Sequence, residues 1–510
     1  MHPVPSPTST PALDERFLGK LEGQLASLDR RIKLADIAVW TGRSRRGTGE
    51  LRELRARSLL APRILDWIAE ARSRASTPMV ERRLELLRRH VVDCQLEHSR
   101  RLIGQRSALQ RAFSEFAPKH MGGQPDSASF ARTLKEDPDR RKRKRAYYGL
   151  MGRDRVLEPR TLALIRERVE HCREIGQGSL ASARLALEGL TIGQWHDLSE
   201  RLVPIVRARM LGARSRFQDL TQESGWYPWD YRHLYHLELD GTSALFPPER
   251  AFPEAVRAAK GWGFPPKAFR FSTTGGRIPF GGLSIAVEVP SDVRIIMNPR
   301  AGWSGHSLMC HEVGHAVSAL LTRQASFLLR SWDFPPSFGG LQEGIGMLFP
   351  RSMSAPGWLR SIRNLTREQA QQLRVRAEEG FWWEIAMTLS HTETEVQAYL
   401  HPDRDPGVTM NRLERELYGY DSFEPRMWAD AIQVESPLYF KSYVLGAIVS
   451  TQVLRAGLEL VGGDLWPNPK LGPWLAQNWF APGAAYDWMP RVAELTGHPL
   501  GVRDLTWNWT

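Results

Sequence analysis

Cysteine is scarce in this chain: three among 510 residues, Cys94, Cys172 and Cys310. An odd number at wide spacing excludes a disulfide-stapled scaffold and leads us to expect reduced thiols, as in a cytoplasmic protein. Also missing is any uninterrupted apolar run near the ~18 residues that a membrane span needs. The opening stretch "MHPVPSPTSTPALDER" lacks the apolar segment of a signal peptide. Residues 1–11 are therefore expected to be a disordered tail on a soluble protein. No fixed repeat, sustained heptad or low-complexity linker occurs, which excludes a solenoid and a long coiled coil.

Acidic residues are outnumbered, 57 against 69 Lys and Arg, for a formal charge of +12. Such a surplus invites a nucleic-acid partner. Its densest stretch is "DPDRRKRKRAYY", Asp137 to Tyr148; elsewhere arginines mix with acids along helical patterns, as in "VERRLELLRRH". That pattern is a solvated helical surface, so neither a nucleic acid nor a membrane is expected as partner. The oligomeric state is not encoded in any motif.

What is abundant is helical periodicity. Apolar residues recur at three and four positions through Leu13–Trp40, with similar patterns over Glu50–Arg72, Met79–Phe116, Ser127–Leu150, Pro159–Ile175 and Thr191–Asp219. The rhythm changes between Gly225 and Gly302, where turn residues bound "LSIAVEV" and "VRIIMN". The expected fold is mostly α, with a small antiparallel β-sheet leading into a helix from Ser304. Residues 12–510 are expected to form one helical domain, in which 12–220 make an N-terminal lobe and 221–510 the catalytic part.

That helix carries "SLMCHEVGHAVSALL". His311 and His315, four residues apart, lie on one helical face and can reach one metal ion. Zinc suits them, because it accepts neutral imidazole and carboxylate in a tetrahedral site with one open position. Glu312 is free to take a proton from a water that the metal acidifies. A third ligand is offered by Glu343 in "GGLQEGIGMLF", 28 positions after His315. A helix, a turn-rich connection and an antiparallel helix would bring it back over the histidines. The alternative for Glu343 is a helix-start carboxylate stabilised by the amino-end dipole. His306 suits a helix-start or supporting role, and Cys310 a small buried residue. Tyr439 and Tyr443 in "SPLYFKSYVLG" are four apart, so both phenols can face one way. They read either as oxyanion donors or as amphipathic residues at a core boundary.

Together "HEVGH", "LQEGIGMLF", "FWWEIAM", "ERELY", "SPLYFKSYVLG" and "NWFAPGAAYDWMPRVAELTGHPL" resemble the angiotensin-converting-enzyme-like zinc peptidases. The chain is most similar to their soluble bacterial branch, and more distantly to thimet oligopeptidase and oligoendopeptidase F. The resemblance implies a gluzincin binding one Zn2+ through His311, His315 and Glu343. Glu312 would be the general base, Tyr443 the oxyanion donor and Tyr439 its neighbour. It also implies a large two-lobed helical body with a deep central channel, lidded by the N-terminal helices, that admits short peptides. Where the bacterial branch commonly has histidine between the tyrosines, this chain has Lys441, which can hold a substrate carboxylate or point into solvent. That departure keeps two alternatives to a peptidase open: a zinc amide hydrolase or other biosynthetic enzyme on the same frame, and a non-catalytic peptide-binding protein.

Overall fold

The computed structural model describes residues 10–44, 47–115, 127–239, 244–275, 278, 281–298, 300–330, 338–362, 365–421, 428–429 and 431–507. Among them the chain is mostly α-helical, with one three-stranded sheet. Most of the expected tail lies outside the described residues, and Pro11 already opens a helix that ends at Trp40.

Three expected helices are broken; that over 127–150 divides into Ser127–Glu136 and the start of Arg140–Glu174. The 50–72 pattern splits into Gly49–Leu59 and Ile64–Ser73, where Pro62 is followed by a left-handed Arg63 (φ 62°). The 79–116 pattern splits into Pro78–Glu97 and Arg100–Glu115. In the other direction, a 35-residue helix, Arg140–Glu174, runs straight through Pro159. Its many remaining hydrogen bonds outlast the one that proline forfeits.

Contacts gather the chain into two units, neither continuous in sequence: residues 1–95, 243–365 and 448–510 form the first, 96–242 and 366–447 the second. The division therefore does not fall at 220/221. A boundary read from changes in local pattern has no access to contacts between distant segments.

The first unit holds the sheet. Strands β1 (Ser272–Gly275), β2 (Gly282–Glu288) and β3 (Asp292–Met297) lie in the order β1-β3-β2. A tight connection makes β2 and β3 antiparallel, as expected, but β1 pairs with β3 in parallel, so the sheet is mixed rather than antiparallel. Ile285, Val287 and Ile296 pack with Ile278 and with Ile37 of the first helix in one apolar layer. Lys33 fastens that helix to the sheet by donating to the Ala286 carbonyl at 2.7 Å.

After β3 comes the histidine helix, Trp303–Leu321, packed against the glutamate helix, Gly339–Ser354. Gly314 sets their approach: a Cβ there would stand 2.7 Å from the Phe349 ring and 3.1 Å from the Ile345 carbonyl. Under the glutamate helix Phe349 stacks on Phe264 (centroids 5.6 Å), which stacks in turn on Phe480 (5.8 Å). The two site helices thus rest on an aromatic floor.

The second unit is helical among its described residues. Of its basic run, Arg143 is turned inward and Arg140 is half-buried, while Arg141, Lys142, Lys144 and Arg145 are exposed. Arg143, 1% exposed, pairs with Asp230 at 3.0 Å, Arg140 pairs with Glu223 at 2.7 Å, and Lys144 sits over the Trp229 ring. The helix Lys441–Val461 is long and apolar enough by length and composition to cross a membrane, yet 67% of that window is buried within the protein. Its apolar character is that of a core helix.

Candidate metal centre

The histidine helix delivers His311 and His315 to one point. Their Nε2 atoms stand 3.0 Å apart, with ring planes at 80°. Glu343 arrives from the glutamate helix with Oε2 3.3 Å from His311 Nε2. One ligand atom from each of the three lies within 4.8 Å of the others. Ligand atoms around a tetrahedral zinc stand about 3.3 Å apart, given bonds of about 2.0–2.1 Å, so two of these separations are of the right order. Burial pulls the His315 pKa down to about 4, with His311 acting the same way and Glu343 against it. His315 is therefore neutral at ordinary pH, the form that binds metal. The donor set and its convergence fit a zinc ion.

Glu343 is only 4% exposed and is the fifth residue of its helix, beyond the first turn where the amino-end dipole acts. Its placement serves convergence with the histidines instead. The turn-rich connection expected to bring it there lies mostly outside the described residues.

Glu312 is 5% exposed and lies against β2, whose Ser284 backbone N–H donates to its carboxylate. A Cβ on Gly282 would come within 3.0 Å of Glu312 Cγ, so the strand passes close over it. Burial raises this carboxyl to about 7, opposed by His311 and Ser284 and helped by Glu343. The group is thus fixed beside the histidines without being needed as a ligand.

His306 and Cys310 take no part in the cluster. The His306 ring is fully buried, edge-on to Phe246 at 5.2 Å, while burial pushes the Cys310 thiol up to about 12. A thiol held neutral is not a nucleophile.

One contributor escaped the sequence. Gly346, one helical turn after Glu343, faces the imidazoles. A Cβ there would stand 2.5 Å from His311 Nε2 and 2.7 Å from His315 Nε2. The pattern Glu-x-x-Gly at helical spacing is the signal that was available for it.

Tyr439, Lys441 and Tyr443 belong to the second unit. Tyr439 lies in a turn just before the helix rather than on it, yet its ring meets that of Tyr443 at 5.7 Å, near-perpendicular. From Pro437 to Leu454 every residue is buried except these two tyrosines, which are half-buried. Both therefore sit on the more accessible side of that segment.

Contrary to both expectations from the sequence, Lys441 neither points into solvent nor is available to a substrate carboxylate, because its ammonium, 1% exposed, pairs with the fully buried Glu188 at 2.8 Å. Replacing Lys441 by methionine removes the ammonium that pairs with this buried carboxylate, and a loss of about 3–5 kcal/mol is expected in urea unfolding. Adding Glu188→Gln should recover part of it.

No family model and no curated protein sequence matches this chain. Solved structures do. An M32 carboxypeptidase from Deinococcus radiodurans R1 aligns with TM-score 0.65 at 15% identity, covering 97% of each chain. Trypanosoma cruzi metallocarboxypeptidase 1 aligns with TM-score 0.65 at 15% identity, over 96% of this chain and 97% of that one. At this identity the likeness establishes a shared fold, extending over nearly the whole chain.

Proposed function

We propose that the protein is a zinc-dependent metallopeptidase acting on short peptides. The observation that carries the reading is the convergence of His311, His315 and Glu343, with Glu312 buried beside them. The fold, shared with two metallocarboxypeptidases, supports it.

His311, His315 and Glu343 would hold the ion. When bound, zinc would supply Lewis acidity toward the scissile carbonyl and the attacking water. Glu312 takes the proton of that water and returns it to the leaving amine. Its hydrogen bond from Ser284 N–H keeps the carboxylate aimed while the proton moves. Tyr443, with Tyr439 beside it, donates to the oxygen on which negative charge develops. The family resemblance and the exposure of this pair in an otherwise buried segment support that role. The mixing of arginines with acids along the helical surfaces favours a peptide over a nucleic acid as partner. Three free cysteines, two of them buried, suit a cytoplasmic location.

The named activity of both structural relatives makes removal of C-terminal residues the cleavage mode to expect. A mixed library of short peptides, incubated with and without chelator and read by mass spectrometry, tests the reading. Ladders of C-terminally shortened products that vanish with chelator and return with zinc are expected. Intact peptides with cleavage of small amides would instead favour an amide hydrolase. Peptide binding without any product would favour a binding protein.

A further inference from the structure

Leu438 has a backbone unlike its neighbours'. Among the described non-glycine residues three have positive φ: Arg63 is a helix N-cap directly after Pro62, and Gln222 is a helix C-cap, where a left-handed conformation is ordinary. Leu438 (φ 60°) is fully buried and immediately precedes Tyr439. A branched side chain disfavours that conformation, which persists only where the surroundings over-determine it.

Buried polar side chains supply that constraint. Glu395, in the long helix Arg367–Leu400, accepts the Leu438 backbone N–H at 2.8 Å through Oε1. One turn further along the same helix, the Tyr399 hydroxyl accepts from Arg168 at 3.1 Å. Arg168 itself donates to the carbonyls of Gln433 (3.1 Å) and Val434 (2.8 Å), just upstream of the turn. Downstream, Lys441 is pinned by Glu188. The stretch 433–441 is thus held by buried polar side chains at three separate places, and the two tyrosines are its outward products.

We propose that Glu395 is a positioning residue for the tyrosine pair: by accepting the Leu438 N–H it fixes the left-handed turn that sets where Tyr439 and Tyr443 stand. Two further observations favour this over a purely structural role. Glu395 is 3% exposed, and its second oxygen has no hydrogen-bond partner among the described residues. Burial raises its pKa to about 8, against the pull of the Leu438 N–H, Arg168, Lys441 and Arg184. A carboxyl half-satisfied in the interior is costly, and its presence here matches a demand for one acceptor at one place. At neutral pH it is largely the uncharged acid, so glutamine reproduces its accepting oxygen.

This inference rests on the proposed role of Tyr443, and the test separates the two. Wild type, Glu395→Gln, Glu395→Leu, Tyr443→Phe and the double variant Glu395→Leu with Tyr443→Phe are compared as zinc-loaded protein for kcat, KM, bound metal and Tm. Tyr443→Phe is expected to lower kcat about 100-fold or more. Glu395→Leu should lower kcat at least ~10-fold with KM and zinc content held, since misplacement of a catalytic group by about 1 Å costs up to that order or more. Glu395→Gln should stay within about threefold of wild type, and Glu395→Leu should add less than about twofold in the Tyr443→Phe background.

Should Glu395→Leu fail to fold, Glu395→Asp, one methylene short of Leu438, is expected to lower kcat at least ~5-fold at unchanged KM. Wild-type kcat in folded Glu395→Leu or Glu395→Asp, or an equal loss with and without the Tyr443 hydroxyl, overturns the inference while the peptidase reading stands. Full kcat in Tyr443→Phe overturns the oxyanion role, and the inference with it. Loss of peptide cleavage on chelation is independent of both.

Discussion

Glu312→Gln is expected to abolish peptide hydrolysis while leaving zinc bound. Glutamine has the same shape as glutamate, and its side-chain oxygen still accepts the Ser284 N–H, so the side chain should remain under β2. What disappears is a basic oxygen. The variant keeps all three candidate ligands, so its metal content, measured on the purified protein, should equal that of the wild type. Loss of a positioned general base alone costs about 10²–10⁴ in rate, and Glu312 is assigned both proton transfers here. A fall in kcat of about 10³ or more with little change in KM is therefore the expected outcome. Wild-type turnover with full zinc would remove Glu312 from the mechanism.

The second large effect is at Gly346. Inside a helix, alanine is favoured over glycine by about 1 kcal/mol, so on propensity alone Gly346→Ala should strengthen the glutamate helix. The added methyl, however, would stand 2.5 Å from His311 Cε1 and Nε2 and 2.7 Å from His315 Nε2. The obstructed atoms are the tips of two side chains rather than backbone, so the rings swing aside and the fold survives. Displaced imidazoles no longer converge with Glu343. Metal affinity and activity should each fall about 100-fold or more, while the Tm of the metal-free protein is unchanged or slightly higher. Isothermal titration with zinc and thermal unfolding in chelator read the two halves separately. Unaltered zinc affinity would mean that the imidazoles do not need the space that this glycine leaves.

The two effects differ in how visible they were in the sequence. His311, Glu312 and His315 could be read at once because helical facing is a local property, set by a spacing of four. Glu343 needed a chain reversal to be imagined, and the demand of a zinc site for a third protein ligand supplied the reason to imagine it. Gly346 stayed hidden because its importance is an empty volume, and a missing side chain leaves no pattern. Lys441 was misread for a related reason: its partner Glu188 is 253 positions away, and no periodicity links them. The parallel pairing of β1 was equally out of reach, since four exposed residues, Ser272–Gly275, carry no alternation to fix a partner or a direction. Glu395 and Leu438 combine both difficulties, a distant partner and a backbone angle that the letters do not record.

The scattered make-up of the first unit governs the order in which the molecule can be born. Its histidines and Glu343 emerge from the ribosome well before Phe480, yet the aromatic floor beneath them lacks its outer ring until that residue appears. Residues 366–447, which belong to the other unit, are synthesised in the interval. During translation the first unit therefore cannot complete its interior until residues 448–510 have been made, so its two site helices exist before the last of the contacts that support them.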